Sequence, residues 1–322
     1  MLVLKKILKA LGILTAIAAV LLGLVSAFFY IVAFKRKVPE LFNRLLFGGM
    51  GESEDDKKRN ALTKETEEFL SGMKLTELTI SAEDGLKLYG KLLMAEEHKG
   101  TAILMHGFHG FPEGDFAGLI RHYHEIGFNV LMIHDRGLGK SEGKWLGFSW
   151  LDRRDLVLWA KYITGLFGDD ERSFLHGVSM GGAGVMMASG EEDLPASVKG
   201  IIDDCGFTST LDEFRHVFPD KFSFLREPVL FIDSVASRIF RGYFFKEASS
   251  LDQLKKNTRP ILFIHGGADD FVPTEMVYRC YDAAVSEKEL LVVPGAGHAV
   301  SYVHSPEMYE EAVDSFIEKY VI

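Results

Sequence analysis

The order of apolar and polar positions divides the chain into three parts. Residues 10–34 form a run of 25 positions without a charge, and residues 38–74 are mixed and largely polar. From about Leu75 a segment alternates apolar and polar residues about Asp84-Gly85, and short, solidly apolar runs follow it. These runs are TAILMHG, NVLMIHD, RSFLHGV, GIIDDCG, PILFIHG and ELLVVPG. The alternating segment predicts an antiparallel hairpin, and each solid run predicts a buried strand.

Amphipathic stretches of helix length separate the solid runs, and SWLDRRDLVLWAKYITGLFG is one example. Buried strands that alternate with helices predict the α/β class, with a mostly parallel sheet of about eight strands and helices on both faces. In such sheets functional groups collect in the loops beyond the carboxyl ends of the strands. We therefore expect one domain over residues 75–322, with its functional site at that edge of the sheet.

One interval, between GIIDDCG and PILFIHG, is far longer than a crossover helix requires. It predicts a small helical lid over residues 206–258. For any single aromatic residue of this insertion, the simpler interpretation is that its ring packs against the rest of the domain. The aromatic residues taken together, in a segment placed over the strand ends, favour a lid above an apolar pocket. The aromatic residues are Phe207, Phe214, Phe218, Phe222, Phe224, Phe231, Phe240, Tyr243, Phe244 and Phe245.

The N-terminal run has the length of a membrane-spanning helix. Twenty-five helical residues extend about 37 Å, which exceeds the roughly 30 Å hydrocarbon core of a bilayer. We expect a single-pass anchor in the cell membrane over residues 1–37. A cleaved signal peptide is the alternative, because Val25-Ser26-Ala27 resembles a cleavage site, although the apolar run continues seven residues further.

Charge changes this picture in two ways. The first 37 residues hold six cations, which are spread over both flanks of the apolar run. The positive-inside rule therefore does not fix the orientation in the membrane. Only the short N-terminal tail before the apolar run favours a folded domain on the extracytoplasmic face. The remaining residues carry 30 basic and 46 acidic side chains, which makes nucleic acid an unsuitable partner. Residues 38–74 are expected to form a juxtamembrane helix and a linker, with 52–59 as a solvated connector.

Two cysteines, Cys205 and Cys280, do not support a disulfide framework or a thiolate zinc site. Buried free thiols are the preferred interpretation, with one bridge between them as the alternative. We expect no metal and no organic cofactor. The sequence does not indicate an oligomeric state.

Candidate chemistry centres on Gly177-Val178-Ser179-Met180-Gly181, a G-x-S-x-G motif between a predicted strand and a predicted helix. A serine on such a bend holds its hydroxyl clear of the sheet, and flanking glycines avoid collisions. The hydroxyl becomes a nucleophile when a base takes its proton and an acid orients that base. Asp269 and Asp270 follow one late strand, and His298 follows the last.

In this order of Ser, Asp and His the sequence resembles the α/β-hydrolase superfamily over residues 75–322, and in particular membrane-anchored bacterial hydrolases of the serine-aminopeptidase and monoglyceride-lipase-like group. The family's H-G-x-x-D-x-x-V-P element matches residues 265–273, which implies Asp269 rather than Asp270 as the acid and His298 as the base. The resemblance also implies an oxyanion hole made by the backbone N–H groups of Phe108 and Met180.

These features predict a serine hydrolase that acts on a small acyl substrate, with carboxylic esters of apolar acyl or aryl groups preferred. Peptidase, thioesterase and acyltransferase activities use the same triad and stay open. A membrane-tethered scaffold with an inactive hydrolase fold is the alternative from another class. Serine at position 179 argues against dehalogenase and epoxide-hydrolase chemistry, which on this fold needs a carboxylate nucleophile.

Overall fold

The computed structural model describes residues 2–37 and 53–322. The predicted juxtamembrane helix falls largely on residues 38–52 and lies outside the described residues. The strands are β1 Leu75–Ser81, β2 Lys87–Leu93, β3 Gly100–Met105, β4 Phe128–Ile133, β5 Ser173–Val178, β6 Val198–Asp204, β7 Ile261–Gly266 and β8 Lys288–Val293.

These strands form one eight-stranded sheet in the order β1-β2-β4-β3-β5-β6-β7-β8. Strands β1 and β2 pair antiparallel around a turn at Gly85, whose φ of 86° suits glycine. Strand β2 pairs antiparallel with β4, and the neighbours from β4 to β8 are parallel. Strands β3 to β7 are buried, apart from one half-buried residue of β6, as their solid apolar runs require. The predicted sheet and hairpin are confirmed, but β8, at the edge of the sheet, is half-buried over most of its length and not the buried strand that its apolar run predicted.

Helices cover both faces of the sheet. In the described ranges they are α1 Leu2–Phe34, α2 Glu54–Ser71, α3 Pro112–Asp115, α4 Leu119–Glu125, α5 Asp152–Phe167, α6 Met180–Ser189, α7 Thr210–Val217, α8 Ser223–Arg241, α9 Ser250–Leu254, α10 Glu275–Ala283, α11 Ser301–His304 and α12 Pro306–Tyr320. One face packs against α5, α6 and α10, and the other against α4 and α12. The sheet is thus a covered, rigid layer whose carboxyl edge is left for loops.

Helix α1 combines a long exposed apolar segment with a C-terminal end that packs against the rest of the fold. By length and composition Leu4–Phe34 could cross a membrane, a test that signal sequences also pass. Most of its length is exposed, yet Phe29 and Phe34 near its end are buried in the same core cluster as the sheet. Beyond the helix, Arg36 donates to the carbonyl of Ser141 at 2.8 Å. The C-terminal third of α1 is therefore part of the folded body.

Residues 53–59 are not the solvated connector that the charge pattern predicted, and Glu52 lies outside the described residues. From Glu54 onward they belong to helix α2, which begins with a capping box: the Asp56 N–H donates to the Ser53 hydroxyl, and the Ser53 N–H donates to the Asp56 carboxylate, both at 3.0 Å. A hydrogen bond of 2.7 Å between His304 Nδ1 and the Asp55 carboxylate joins α11 to α2. Packing onto α3, α4 and α11 gives these residues a fixed place that a charge count does not reveal.

The long insertion between β6 and β7 folds into α7, α8 and α9. Its aromatic rings divide into two sets. Phe207, Phe214 and Phe245 are buried on the body, whereas Phe224 and Phe231 are 75% and 72% exposed. The insertion therefore lies over the sheet edge and also presents an apolar outer surface.

Candidate active site

Ser179 occupies the sharp turn between β5 and α6. Its φ of 58° is the left-handed conformation that a non-glycine residue rarely adopts, and the residue is 8% exposed. A Cβ at Gly177 or Gly181 would lie well under 3.0 Å from backbone atoms, of Gly181 and Met105 respectively, so both flanking positions require glycine. The bend forms because glycine at both positions lets neighbouring backbone segments approach each other closely.

Ser179, His298 and Asp269, which the sequence singled out, form one chain of hydrogen bonds. The Ser179 Oγ lies 2.9 Å from His298 Nε2, and His298 Nδ1 lies 2.8 Å from the Asp269 Oδ2. The three residues come from the loops after β5, β8 and β7, which meet at the carboxyl edge of the sheet. This geometry allows the imidazole to accept a proton from the hydroxyl while the carboxylate holds the ring.

The environment of Asp269 keeps its carboxylate charged. Its Oδ1 accepts hydrogen bonds from the N–H groups of Phe271 and Val272, each at 3.0 Å. Burial acts to raise the pKa of Asp269, but the hydrogen bonds of His265 and His298 outweigh it and hold the pKa well below its usual value. A permanently ionised acid of this kind stabilises an imidazolium next to it.

Asp270, the rejected alternative, points elsewhere. Its side chain is exposed, and its backbone carbonyl accepts a hydrogen bond of 2.8 Å from His216. Of the two neighbouring aspartates, Asp269 is thus the one whose side chain contacts His298.

The loops around Ser179 hold an unusual number of non-glycine residues with positive φ. Such conformations persist only where the surrounding structure fixes them, and they concentrate at functional sites. Within the described ranges these residues are His109, Phe148, Ser149, Ser179, Cys205 and Ala299. Phe148, Ser179 and Ala299 line the pockets at the site, His109 follows Phe108, and Cys205 lies beside Asp269 and His298, which marks this edge as a rigidly constructed region.

Two compartments meet at Ser179. The first is a narrow pocket of about 20 Å³ walled by the rings of Phe108, Phe148, Phe207, Phe214 and Phe271, together with Met180, Glu213 and Val217. Burial raises the pKa of Glu213 well above its usual value, so its carboxyl is held neutral. The pocket is therefore apolar in character, as the aromatic content of the insertion predicted.

The second compartment is a cleft of about 350 Å³ that includes Ser179 and His298. One of its walls comes from α2, through Arg59, Asn60 and Thr63. Sequence reasoning missed these residues because they precede the predicted domain. The S-x-x-D pattern at residues 53–56 was the available signal for a helix start, but nothing local indicates where that helix docks.

Met180 and Phe108, the residues predicted to form the oxyanion hole, both line the narrow pocket beside Ser179. Met180 follows Ser179 as the first residue of α6, and Phe108 lies in the loop after β3 and lines both compartments. Their roles as N–H donors to a reacting oxygen stay predictions.

Cys205 lies at the end of β6, beside the triad. Its Sγ, a carboxylate oxygen of Asp269 and a ring nitrogen of His298 lie within 4.8 Å of one another, a spacing that could hold a metal ion. However, Asp269 and His298 already bind each other, and burial raises the pKa of the Cys205 thiol well above its usual value, which disfavours a thiolate ligand. The donor set suits a hydrogen-bonded triad better than a metal centre.

The sheet order, the turn at Ser179 and the position of the Ser-His-Asp side chains define an α/β-hydrolase fold. The model of the Prolyl oligopeptidase family matches residues 116–321. The chain belongs to that family, and the resemblance to the α/β-hydrolase superfamily is confirmed. The narrower group of membrane-anchored hydrolases stays a prediction.

Similar proteins agree with this assignment. The uncharacterized protein YqkD of Bacillus subtilis is 23% identical over 317 residues, which cover 98% of this chain and 97% of YqkD. The Pyrococcus furiosus esterase Pf2001 has a TM-score of 0.60 at 20% identity, covering 78% of this chain and 94% of that one. Est1E of Butyrivibrio proteoclasticus, solved with ferulic acid bound, has a TM-score of 0.56 at 23% identity, covering 75% and 98%. At these identities the solved structures establish the fold, which hosts several chemistries.

Proposed function

We propose that the protein is a serine hydrolase that cleaves carboxylic esters through an acyl-enzyme, with Ser179 as nucleophile, His298 as general base and acid, and Asp269 as the acid that orients it. The observation that carries this proposal is the continuous hydrogen-bonded chain from the strained Ser179 to the ionised Asp269. A serine hydroxyl is a poor nucleophile until an adjacent base takes its proton, and this chain of hydrogen bonds supplies the base and the acid that orients it.

In the proposed reaction His298 Nε2 takes the Ser179 proton as Oγ attacks the carbonyl carbon. The backbone N–H groups of Phe108 and Met180 receive the charge that develops on the carbonyl oxygen. His298 then protonates the departing alcohol as its bond to the acyl carbon breaks. A water molecule, deprotonated by His298, attacks the acyl-enzyme and releases the carboxylic acid and free Ser179. These steps require neither a metal nor an organic cofactor.

The two compartments support an ester with unlike halves. The walls of the small aromatic pocket suit the apolar atoms next to the carbonyl of an acyl or aryl ester, and the cleft lined by α2 suits a polar leaving group. A peptidase is the second candidate, because the chain's family includes peptidases by name. An amide nitrogen leaves less readily than an alcohol, so relative turnover of the two bonds separates these candidates.

We further propose that α1 is an uncleaved anchor. A cut after Ala27 would remove Ser26, whose hydroxyl donates to the buried Asp233 of the lid. The exposed apolar residues of α1 before Ser26 are left for lipid. The body is proposed to lie on the extracytoplasmic face, and protease treatment of intact cells tests this, because a fully protected body contradicts it.

The experiment for the activity uses the full chain in detergent with nitrophenyl esters, nitroanilides and thioesters of matched acyl groups. The wild type is expected to turn over esters fastest, and Ser179→Ala to lose about 10⁴-fold or more in kcat with unchanged circular dichroism. Faster turnover of anilides would favour the peptidase. No turnover of any substrate would favour the inactive scaffold, and equal turnover by Ser179→Ala would refute the assignment of the nucleophile.

A further inference from the structure

A second apolar space lies close to the pocket beside Ser179. It is a groove of about 440 Å³ between α1 and the lid, and its walls are apolar except for one lysine. The walls are Leu24, Val25, Phe28, Phe29, Phe218, Pro219, Lys221, Phe222 and Leu225. The pocket at Ser179, in contrast, holds about 20 Å³, room for roughly one water molecule. A long acyl chain therefore needs more space than the pocket alone provides.

A single layer of aromatic rings separates the two spaces. Phe29 of α1 lines the groove, and its ring centroid lies 5.5 Å from that of Phe214, which lines the pocket. Phe29 also packs at 5.4 Å against Phe218, on the groove side. Phe214 lies in α7, and Phe218 directly follows the last residue of that helix. The rings of Phe214, Phe218 and Phe29 of α1 therefore form an aromatic partition between the pocket and the groove.

The outer side of the groove is continuous with other exposed apolar surface. On α1, Leu21 and Leu24 are 56% and 62% exposed, and at the near end of α8 Phe224 is 75% exposed. Farther along α8, Phe231 and Phe240 are also exposed. Apolar surface of this extent beside a helix suited to a bilayer fits contact with lipid chains rather than with water.

We propose that the acyl chain of a membrane-resident ester reaches Ser179 from the bilayer through this groove, passing between Phe29, Phe214 and Phe218, so that a residue of the N-terminal helix sets the accepted chain length. This inference rests on the proposed ester hydrolysis and names its substrate class, an acyl lipid. Chains that end before the aromatic partition fit without movement. Longer chains require these rings to move aside and then gain burial in the groove, worth about fourfold in binding for each methylene.

The test measures kcat/KM for nitrophenyl esters from acetate to palmitate, using the full chain in phosphatidylcholine vesicles, with active sites counted by a fluorophosphonate. Phe29→Ala and Phe218→Ala are expected to raise the ratio of dodecanoate to butyrate turnover at least tenfold. Phe29→Leu, which removes less volume, is expected to raise it less and serves if the alanine variant does not fold. Leu14→Ala, on the same helix but far from the groove, is the matched control and should leave the ratio within twofold.

A filling variant tests the same route without opening the core. Val25→Trp narrows the groove and is expected to lower dodecanoate turnover while butyrate turnover stays at the wild-type level. Unchanged ratios in Phe29→Ala, Phe218→Ala and Val25→Trp, with butyrate still hydrolysed, overturn the route. Failure of the wild type to hydrolyse any ester or to react with the fluorophosphonate overturns the proposed function instead.

Contact of the lid with lipid has its own measurement. In Phe231→Trp, brominated phosphatidylcholine is expected to quench the added fluorescence relative to the wild type. Quenching no greater than that of the wild type means that this face does not touch the bilayer, and it overturns entry from the membrane.

Discussion

Replacing Asp269 by Asn tests how the hydrogen bonds of the triad set the protonation of His298. The Oδ1 of Asp269 accepts from the N–H groups of Phe271 and Val272, each at 3.0 Å. An asparagine must therefore keep its oxygen at that position, because an NH₂ group there would face two donors. Its NH₂ group then takes the place of Oδ2, which lies 2.8 Å from His298 Nδ1.

The size of the effect follows from the tautomer. An NH₂ group that donates to Nδ1 forces the imidazole proton onto Nε2, the atom 2.9 Å from the Ser179 hydroxyl. A protonated Nε2 cannot accept the serine proton, so the base is lost although every side chain stays in place. Such a change costs about 10⁴-fold in kcat, which corresponds to about 5.5 kcal/mol of transition-state stabilisation. KM should change little, because Asp269 is 6% exposed and lines neither compartment.

The assay is continuous release of nitrophenol from the best ester of the panel, compared for wild type, Asp269→Asn and Asp270→Asn. Asp270 is the matched control, since its carboxylate is exposed beside the same loop. We expect Asp270→Asn to keep kcat within twofold of the wild type. An Asp269→Asn protein that is folded by circular dichroism and keeps more than a tenth of the wild-type kcat would refute the tautomer argument.

Three further predictions concern the surroundings of the site. Glu213→Gln should leave the free energy of unfolding unchanged below about pH 4 and increase it progressively at higher pH. The pKa of Glu213 is raised in the folded protein, so the wild type loses stability as pH rises above the unfolded pKa of about 4.3, and the glutamine variant does not. Thermal unfolding of both proteins at pH 4 and pH 8 measures this, and an equal shift in melting temperature at the two pH values contradicts it. Gly181→Ala should abolish soluble expression, because the added Cβ would meet a backbone carbonyl. The added Cβ of Gly184→Ala meets only a flexible methionine side chain, so this variant should lower the free energy of unfolding by about 1–3 kcal/mol. Similar melting temperatures for the two variants would contradict the reasoning. Thr63→Trp should raise KM for esters of bulky alcohols and leave methyl esters unaffected, and an equal change for both would show that α2 does not bound the leaving-group side.

Much of the sheet was predictable because its signals are local. Solid apolar runs that end in turn residues gave β3 to β8, and the alternation about Gly85 gave the hairpin. The nucleophile turn was also readable, since only glycine fits at positions 177 and 181. The pairing of Ser179 with Asp269 and His298 needed the resemblance to a known family as well, because residues 90 and 119 positions away carry no local sign of contact.

The parts that the sequence did not give depend on contacts between distant segments. Helix α1 is apolar on every side, so periodicity could not show that Phe29 and Phe34 face the core while Leu21 does not. Helix α2 is rich in charge, and its position over the cleft depends on its packing and on contacts such as that between Asp55 and His304. The composition of these two helices predicts that they are apolar or charged, but their contacts with the rest of the chain depend on the tertiary fold.

The most direct test of the central claim is the site at which a fluorophosphonate reacts with the full-length protein, measured by intact mass and peptide mapping. Our account predicts one adduct per chain, located on Ser179, formed quickly in the wild type and absent in Ser179→Ala. A protein that forms no adduct, or that carries it on any other residue, contradicts the account.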